Sequence, residues 1–237
     1  MPTDRGKTLA AFDAEKAASY DNQFANVSAM RDAMHLLTRL ALGELPAESR
    51  VLCVGAGTGL EIGYLAEVFP RWRFMAVEPA PAMLDLCRKR ARDNDFADRC
   101  EFHGGYLDSL PAAEPYDAAT CLLVSHFLQP PERRALFVEI AQRLTPGAVL
   151  VAADLASDRA APAHDRLMAA WRQMWLLCGM PVDQVEKARA HFEEQVSLLP
   201  PAEVASLVCS AGFEAPTPIL QTLLIHGWSF RREADPS

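Results

Sequence analysis

The chain has 237 residues, half of them hydrophobic, and a formal net charge of −8, which allows one substantial core and makes a single α/β domain with a modest insertion a better expectation than two domains. So acidic a chain is poorly suited to gripping phosphate backbones, which speaks against nucleic acid as a partner. No apolar run approaches the roughly 18 to 20 residues that cross a bilayer, the charged start from Met1 to Lys7 is unlike a signal-peptide core, and the six cysteines contain no CxxC pair, so a cytoplasmic protein with reduced thiols, no membrane contact and no bound metal is expected.

In chain order, residues 7–19 read as a short helix and the polar stretch Tyr20 to Asn26 as a break. A longer helix starts near Ser28, with Met30, Met34, Leu37, Leu40 and Ala41 at three- and four-residue spacing, and Gly43 and Pro46 end it. The pattern then alternates: strand 51–54, helix 59–69, strand 73–77, helix 81–93, strands 100–103 and 117–122, helix 131–144 and strand 148–153. Strands separated by helical stretches predict βαβ units and a mostly parallel sheet. The basic run Arg88-Lys89-Arg90 lies between Asp85 and Asp93, so it reads as a solvated, salt-bridged helix face. Residues 162–196 interrupt the alternation with two helical stretches, the first carrying Leu167, Trp171, Met174, Trp175 and Cys178 on one side. That stripe suits core packing, a cap over a pocket at the carboxyl edge of the sheet, or a homodimer face. A helix over 201–211 and two strands over 213–220 and 222–231 close the chain.

Two features carry chemistry. The run Val51-Leu52-Cys53-Val54 ends in Gly55-Ala56-Gly57-Thr58-Gly59, an apolar strand feeding a glycine-rich turn whose backbone can approach a ligand and whose following helix points its N-terminus at it. A second apolar run, Phe74 to Val77, ends in Glu78-Pro79, and a carboxylate at the tip of the second strand is where doubly wound folds hold a ribose diol. Tight packing explains three glycines alone, and an N-terminal helix position explains Glu78 alone; together they describe a nucleotide-type cofactor site. The spacing is GxGxG rather than the GxGxxG of dinucleotide oxidoreductases.

These segments, with Met83-Leu84, Gly105 to Pro111, Tyr116-Asp117 through His126-Phe127, and Leu144-Thr145-Pro146-Gly147, resemble the successive signatures of class I S-adenosylmethionine-dependent methyltransferases. The resemblance covers about residues 50–155. It implies a Rossmann-like α/β fold, a seven-stranded sheet with N-terminal helices and a helical cap insertion, organised as a lid (1–45), a cofactor-binding core (50–155), a cap (160–197) and a C-terminal helix with antiparallel strands (200–232). It also implies S-adenosyl-L-methionine as the cofactor: Gly55, Ala56, Gly57, Thr58 and Gly59 under its methionyl and ribose part, Glu78 at the ribose, Pro79 and Met83 at the adenine, Gly105, Tyr106 and Leu107 beside them, and Cys121 and Leu122 along the methionyl chain. Tyr106 stands where the family often has an acid. Tyr20, in a segment that closes over the cofactor in similar enzymes, and Arg31 are further cofactor candidates. His126 and Tyr20 are the catalytic candidates, His126 as a base or as a structural hydrogen-bonding group.

The acceptor is expected to be a small molecule methylated on O, N or S, with Trp171, Trp175 and Arg189 as substrate candidates. The C-terminal part more faintly resembles carboxy-S-adenosylmethionine synthase, where Arg189 would take a carboxylate-binding role. A non-catalytic S-adenosylmethionine-binding module is the alternative outside enzymes.

Overall fold

The computed structural model describes residues 21 and 25–234. Its strands are β1 (Arg50–Val54), β2 (Arg73–Glu78), β3 (Cys100–Gly104), β4 (Tyr116–Leu122), β5 (Leu144–Leu155), β6 (Thr217–Thr222) and β7 (Ile225–Arg231). They form one sheet in the order β3-β2-β1-β4-β5-β7-β6, parallel from β3 to β5 and antiparallel at β7 and β6. The helices are α1 (Ser28–Leu42), α2 (Leu60–Val68), α3 (Pro81–Asp93), α4 (Pro130–Gln142), α5 (Ala163–Leu177), α6 (Val182–Gln195) and α7 (Pro201–Cys209). This is the expected α/β architecture. Among the described residues no helix is long and apolar enough to cross a membrane.

The strands read as continuous apolar runs because helices cover both faces of the sheet. Val51 and Cys53 of β1 join Leu42 of α1, Ile62 and Leu65 of α2 and Cys87 and Ala91 of α3 on one face. Leu52 and Val54 join Phe137 and Ile140 of α4 and Val204 and Val208 of α7 on the other. A third cluster unites Met168, Trp171, Met174 and Trp175 of α5 with Val185 of α6, Leu155 and Ile225, and this is the cap. Trp171, Met174 and Trp175 are buried, so the Met/Trp stripe faces inward. On the cap exterior, Leu177 and Val182 stay exposed.

Several boundaries differ from the sequence expectation, among them the start of β6, which lies at Thr217 rather than 213. Helix α4 ends at Gln142, and β5 begins at Leu144 rather than 148, because Leu144 pairs with Tyr116 before the ladder shifts register to Ala118 and Val149. The irregularity falls at Thr145-Pro146-Gly147, where Pro146 has no N–H to give and Gly147 has φ +77°. The final hairpin turns at Leu223-Leu224, between the paired Thr222 and Ile225, with Leu223 at φ +52°. Two leucines give no turn signal, so in the sequence the alternation from Thr222 to Phe230 reads as one strand. The run Arg88 to Arg90 also divides: Arg88 and Lys89 pair with Asp85 and Asp93 on the surface, while Arg90 turns toward Asp21.

Candidate active site

The chain passes from β1 outward to β2 and β3 and returns to β4 on the other side of β1, which opens a crevice at the carboxyl ends of these strands. A cavity of about 530 Å³ occupies it, bounded by the glycine loop, the ends of β2 and β4, α1 and the cap. The short turn before α1 is tied directly to the cap: Asn26 Nδ2 donates to the Leu177 carbonyl at 2.8 Å.

The three loop glycines have different tasks. All have positive φ: +71° at Gly55, +54° at Gly57 and +78° at Gly59. A Cβ on Gly55 would lie 2.3 Å from Val124 Cγ2, and one on Gly59 would lie 2.6 Å from Cys87 Sγ, whereas one on Gly57 would meet nothing within 4 Å. Gly55 and Gly59 thus permit protein-to-protein contact, and Gly59 does not line the cavity, contrary to the expectation for it; only Gly57 leaves open space for a ligand. The substitutions should separate accordingly. Gly55→Ala is expected to lower stability, because the β-branched Val124 cannot turn away freely. Gly57→Ala should cost only about 1–2 kcal/mol of backbone strain, while weakening cofactor binding. Urea unfolding beside titration with S-adenosylhomocysteine tells the two apart, and equal stability losses would count against the distinction.

Glu78, buried at the tip of β2, accepts from Gly57 N–H at 2.9 Å through Oε2 and from Ala80 N–H at 2.8 Å through Oε1. Burial raises its pKa above the ordinary carboxylate value, and the two N–H bonds oppose that rise. Each oxygen is thereby oriented and keeps acceptor capacity for a diol. Pro79, Met83, Gly105, Tyr106 and Leu107 line the same end of the cavity, as do Ala56 and Thr58. Leu122 lines it too, but Cys121 does not: strand alternation turns Cys121 into the core with Leu52 and Leu150, which corrects the expectation for it.

His126 lies in a short turn, Ser125–Phe127, after β4. Leu123, at φ +59°, swings the chain out of the strand, a left-handed conformation unfavourable for leucine, and Val124 then packs over Gly55. His126 lines the cavity, and its Nδ1 is 2.6 Å from Asp154 Oδ1 at the end of β5. The same oxygen accepts from the His126 backbone N–H at 2.9 Å, and Oδ2 accepts from the Ser125 hydroxyl. Arg133 of α4, fully buried, lies 3.6 Å from Oδ2 and donates to the Ser197 carbonyl at 2.7 Å. Burial alone would raise the Asp154 pKa; the hydrogen bond and charge of His126, the charge of Arg133 and the Ser125 bond outweigh it and hold it below the ordinary carboxylate value. An ionised carboxylate only accepts, so Nδ1 carries the proton and Nε2 the lone pair in the neutral ring.

The other end of the cavity is apolar: Val27, Met30, Phe127, Leu136, Trp171, Met174, Trp175 and Phe192 line it. Phe192 of α6 holds the two tryptophans, with ring centres 6.0 Å from Trp171 and 5.8 Å from Trp175. Arg31 lines the cavity but is paired with Asp32 at 3.1 Å. Arg189 does not reach the cavity; it is half exposed on α6 and bonded to Glu193 at 2.9 Å, so the expectation of a substrate contact there is corrected. Tyr20 lies outside the described residues. Its neighbour Asp21 accepts from the Thr58 hydroxyl at 2.9 Å and pairs with Arg90 at 2.7 Å, which ties Asp21 to the glycine loop and α3. Among the described residues no group of acidic, histidine or cysteine side chains is arranged to hold a metal ion.

Asp154, Arg133, Ser125 and Glu61 were not singled out from sequence. An aspartate closing the apolar run Val149 to Ala153 is the available signal for the first, since a charge there must be paired; a lone Arg133 on an amphipathic helix gives none.

Residues 51–147 match the family model of the methyltransferase domain. An uncharacterized protein of a Synechococcus strain is 30% identical over 102 residues, covering 43% of this chain and 24% of that one. The carboxy-S-adenosyl-L-methionine synthase of Campylobacter lari is 26% identical over 141 residues, covering 59% of each. The chain therefore spans about a quarter and about three fifths of the length of these curated relatives. Among solved structures, an O-methyltransferase family 2 protein of Planctomyces limnophilus, in complex with apigenin, superposes with a TM-score of 0.62 at 19% identity, over 94% of this chain and 62% of that one. With the glycine turn and Glu78 at the switch point of a seven-stranded sheet of this order, residues 51–147 carry a methyltransferase domain, and the chain is similar to S-adenosylmethionine-dependent methyltransferases.

Proposed function

We propose that this protein transfers the methyl group of S-adenosylmethionine to a hydroxyl oxygen of a small, largely apolar acceptor. The observation that carries the reading is that His126, oriented by Asp154, lines the same cavity as the glycine cradle and Glu78. The residues present suit the cofactor: Gly57 offers backbone with open space before it, and Glu78 offers oriented acceptors for the ribose hydroxyls. When bound, the cofactor supplies an electrophilic methyl group. The protein supplies position. Trp171, Trp175, Met174 and Phe192 enclose the acceptor in apolar surface, exclude water and fix its hydroxyl relative to the cofactor, which removes much of the entropic part of the barrier. His126 Nε2 takes the hydroxyl proton as the oxygen becomes the nucleophile, and Asp154 stabilises the imidazolium that results. A nitrogen or sulfur acceptor would need the same positioning and less from His126.

The similarity to the Campylobacter lari synthase supports a second reading, in which the cofactor itself is carboxylated. Arg189, the arginine suited to that chemistry by resemblance, lies outside the cavity. A non-catalytic binding module needs no histidine held by a buried carboxylate, so the His126 pairing favours the enzyme. The six unpaired cysteines fit the cytoplasm as its compartment, and the apolar lining fits a small molecule as the partner.

Calorimetric titration with S-adenosylhomocysteine, with NAD as control, tests the cofactor. Incubation with S-adenosylmethionine and a panel of flat phenols including apigenin, read by mass spectrometry, tests the reaction. Selective binding and a product heavier by one methyl group are expected; preference for NAD, or carboxylated cofactor without a methylated acceptor, would overturn the reading. Glu78→Ala should weaken S-adenosylhomocysteine binding by about 2–3 kcal/mol, as for loss of a charged hydrogen-bond partner, and an unchanged Kd would remove Glu78 from the ribose.

A further inference from the structure

Among the described residues three acids line the cavity, and they differ in what they already hold. Both oxygens of Asp21 are engaged, by Thr58 and Arg90, and both of Glu78 by backbone N–H groups. Glu61, in the first turn of α2 directly after the glycine loop, is different: its Oε1 is buried and has no hydrogen-bond partner among the described residues. Thr120 of β4, beside it, also has an unpartnered hydroxyl. A buried carboxyl oxygen left unpaired is costly, and burial pushes the Glu61 pKa up to about 7, with the Thr120 hydroxyl opposing.

Among the described residues, the groups facing it do not neutralise it. They are the thiols of Cys53 on β1, Cys87 on α3 and Cys121 on β4, each kept protonated by burial, and the Thr120 hydroxyl. A cation would supply a partner, and Glu61 lines the cavity where the glycine loop ends. The cofactor of the proposed reaction carries one in its α-ammonium, and neither Glu78 at the ribose nor the apolar acceptor end offers that group a free carboxylate.

We infer that Glu61 receives the positively charged methionyl end of the cofactor, so that the ligand is held between two carboxylates, Glu78 at the ribose and Glu61 at the ammonium. This rests on the cofactor assignment above. Its consequence has a definite sign. A cation beside Glu61 favours the ionised form, so the ligand lowers the Glu61 pKa and binding releases protons near neutrality. Affinity therefore rises with pH as the free carboxyl ionises. A ligand lacking the amino-acid chain would not engage Glu61 and would show no such dependence.

The test is calorimetric titration between about pH 6 and about pH 8, in buffers of different ionisation enthalpy, which reports proton release directly. The probes are S-adenosylhomocysteine and 5′-methylthioadenosine, which keeps the nucleoside and lacks the methionyl group. For the unmodified protein, S-adenosylhomocysteine should gain about tenfold in affinity across this range with proton release, and 5′-methylthioadenosine should gain nothing. In Glu61→Gln the S-adenosylhomocysteine affinity should fall about tenfold at the upper pH, and the slope should flatten. The inference fails if S-adenosylhomocysteine binds the unmodified protein without releasing protons, if 5′-methylthioadenosine shows the same slope, or if Glu61→Gln keeps the parent's affinity and slope. Because the first two outcomes need no variant, a misfolded Glu61→Gln protein still leaves a decision. Absence of any binding by either probe would instead reject the cofactor assignment, and the inference with it.

Discussion

His126→Gln is expected to lower turnover about 100- to 10,000-fold, the usual contribution of a positioned base, while leaving the Kd for S-adenosylhomocysteine at the parent value. The two halves of this expectation come from different parts of the cavity. His126 follows β4 and is held by Asp154 from β5, whereas the cofactor contacts derive from the glycine loop and the tip of β2. Glutamine retains hydrogen-bonding capacity and approximate size but cannot take a proton near neutrality. Single-turnover rates with a methylated phenol as the readout, set beside calorimetric Kd values, give the comparison. Turnover within a few-fold of the parent would show that orientation alone carries the reaction and that His126 serves only to hold the turn after β4.

Asp154→Ala is expected to be the most destabilising single change at the site, by about 3–5 kcal/mol, the cost of stranding buried partners of a charge. Removing this carboxylate leaves Arg133, fully buried, without its counter-ion, and leaves the His126 ring, the His126 N–H and the Ser125 hydroxyl without their acceptor. Urea unfolding near neutral pH measures it. The dependence on acid follows from the lowered pKa of Asp154 in the fold: its contribution is present above the unfolded carboxylate pKa and is lost as pH falls through the lower folded value. Parent and variant should therefore converge in acid. A gap that persisted unchanged there would mean that the loss comes from packing rather than from the charge.

The fold and the cofactor half of the site were largely legible in the sequence, because both are written locally. An apolar strand followed by Gly55-Ala56-Gly57-Thr58-Gly59 and the later Val77-Glu78-Pro79 each hold their meaning within a few residues, and the sheet brings them together as the spacing implied. What stayed hidden depends on pairs distant in sequence. Asp154 meets His126 across 28 residues and Arg133 meets Ser197 across 64, and neither partner announces the other. Orientation was the second limit. Cys121 and Leu122 are neighbours on one strand, so only the pleat decides which of them sees the cavity. Arg189 looked available for a carboxylate until α6 turned it outward to Glu193, and Trp171 and Trp175, on the facing helix, turned in. Glu61 gives no signal in the sequence because an acid in the first turn of a helix is unremarkable; only its buried, unpaired oxygen distinguishes it.

All the chemistry described here gathers at one rim of the sheet, beyond the carboxyl ends of β1, β2, β4 and β5. The opposite rim is made of the connections over residues 43–49, 70–72 and 111–115, which contribute nothing to the cavity lining. The molecule thus has a working end and a handle. A fusion partner, a dye or a surface linkage placed on the second rim would leave the mouth of the cavity unobstructed, and the protein could be immobilised with its site facing the solution.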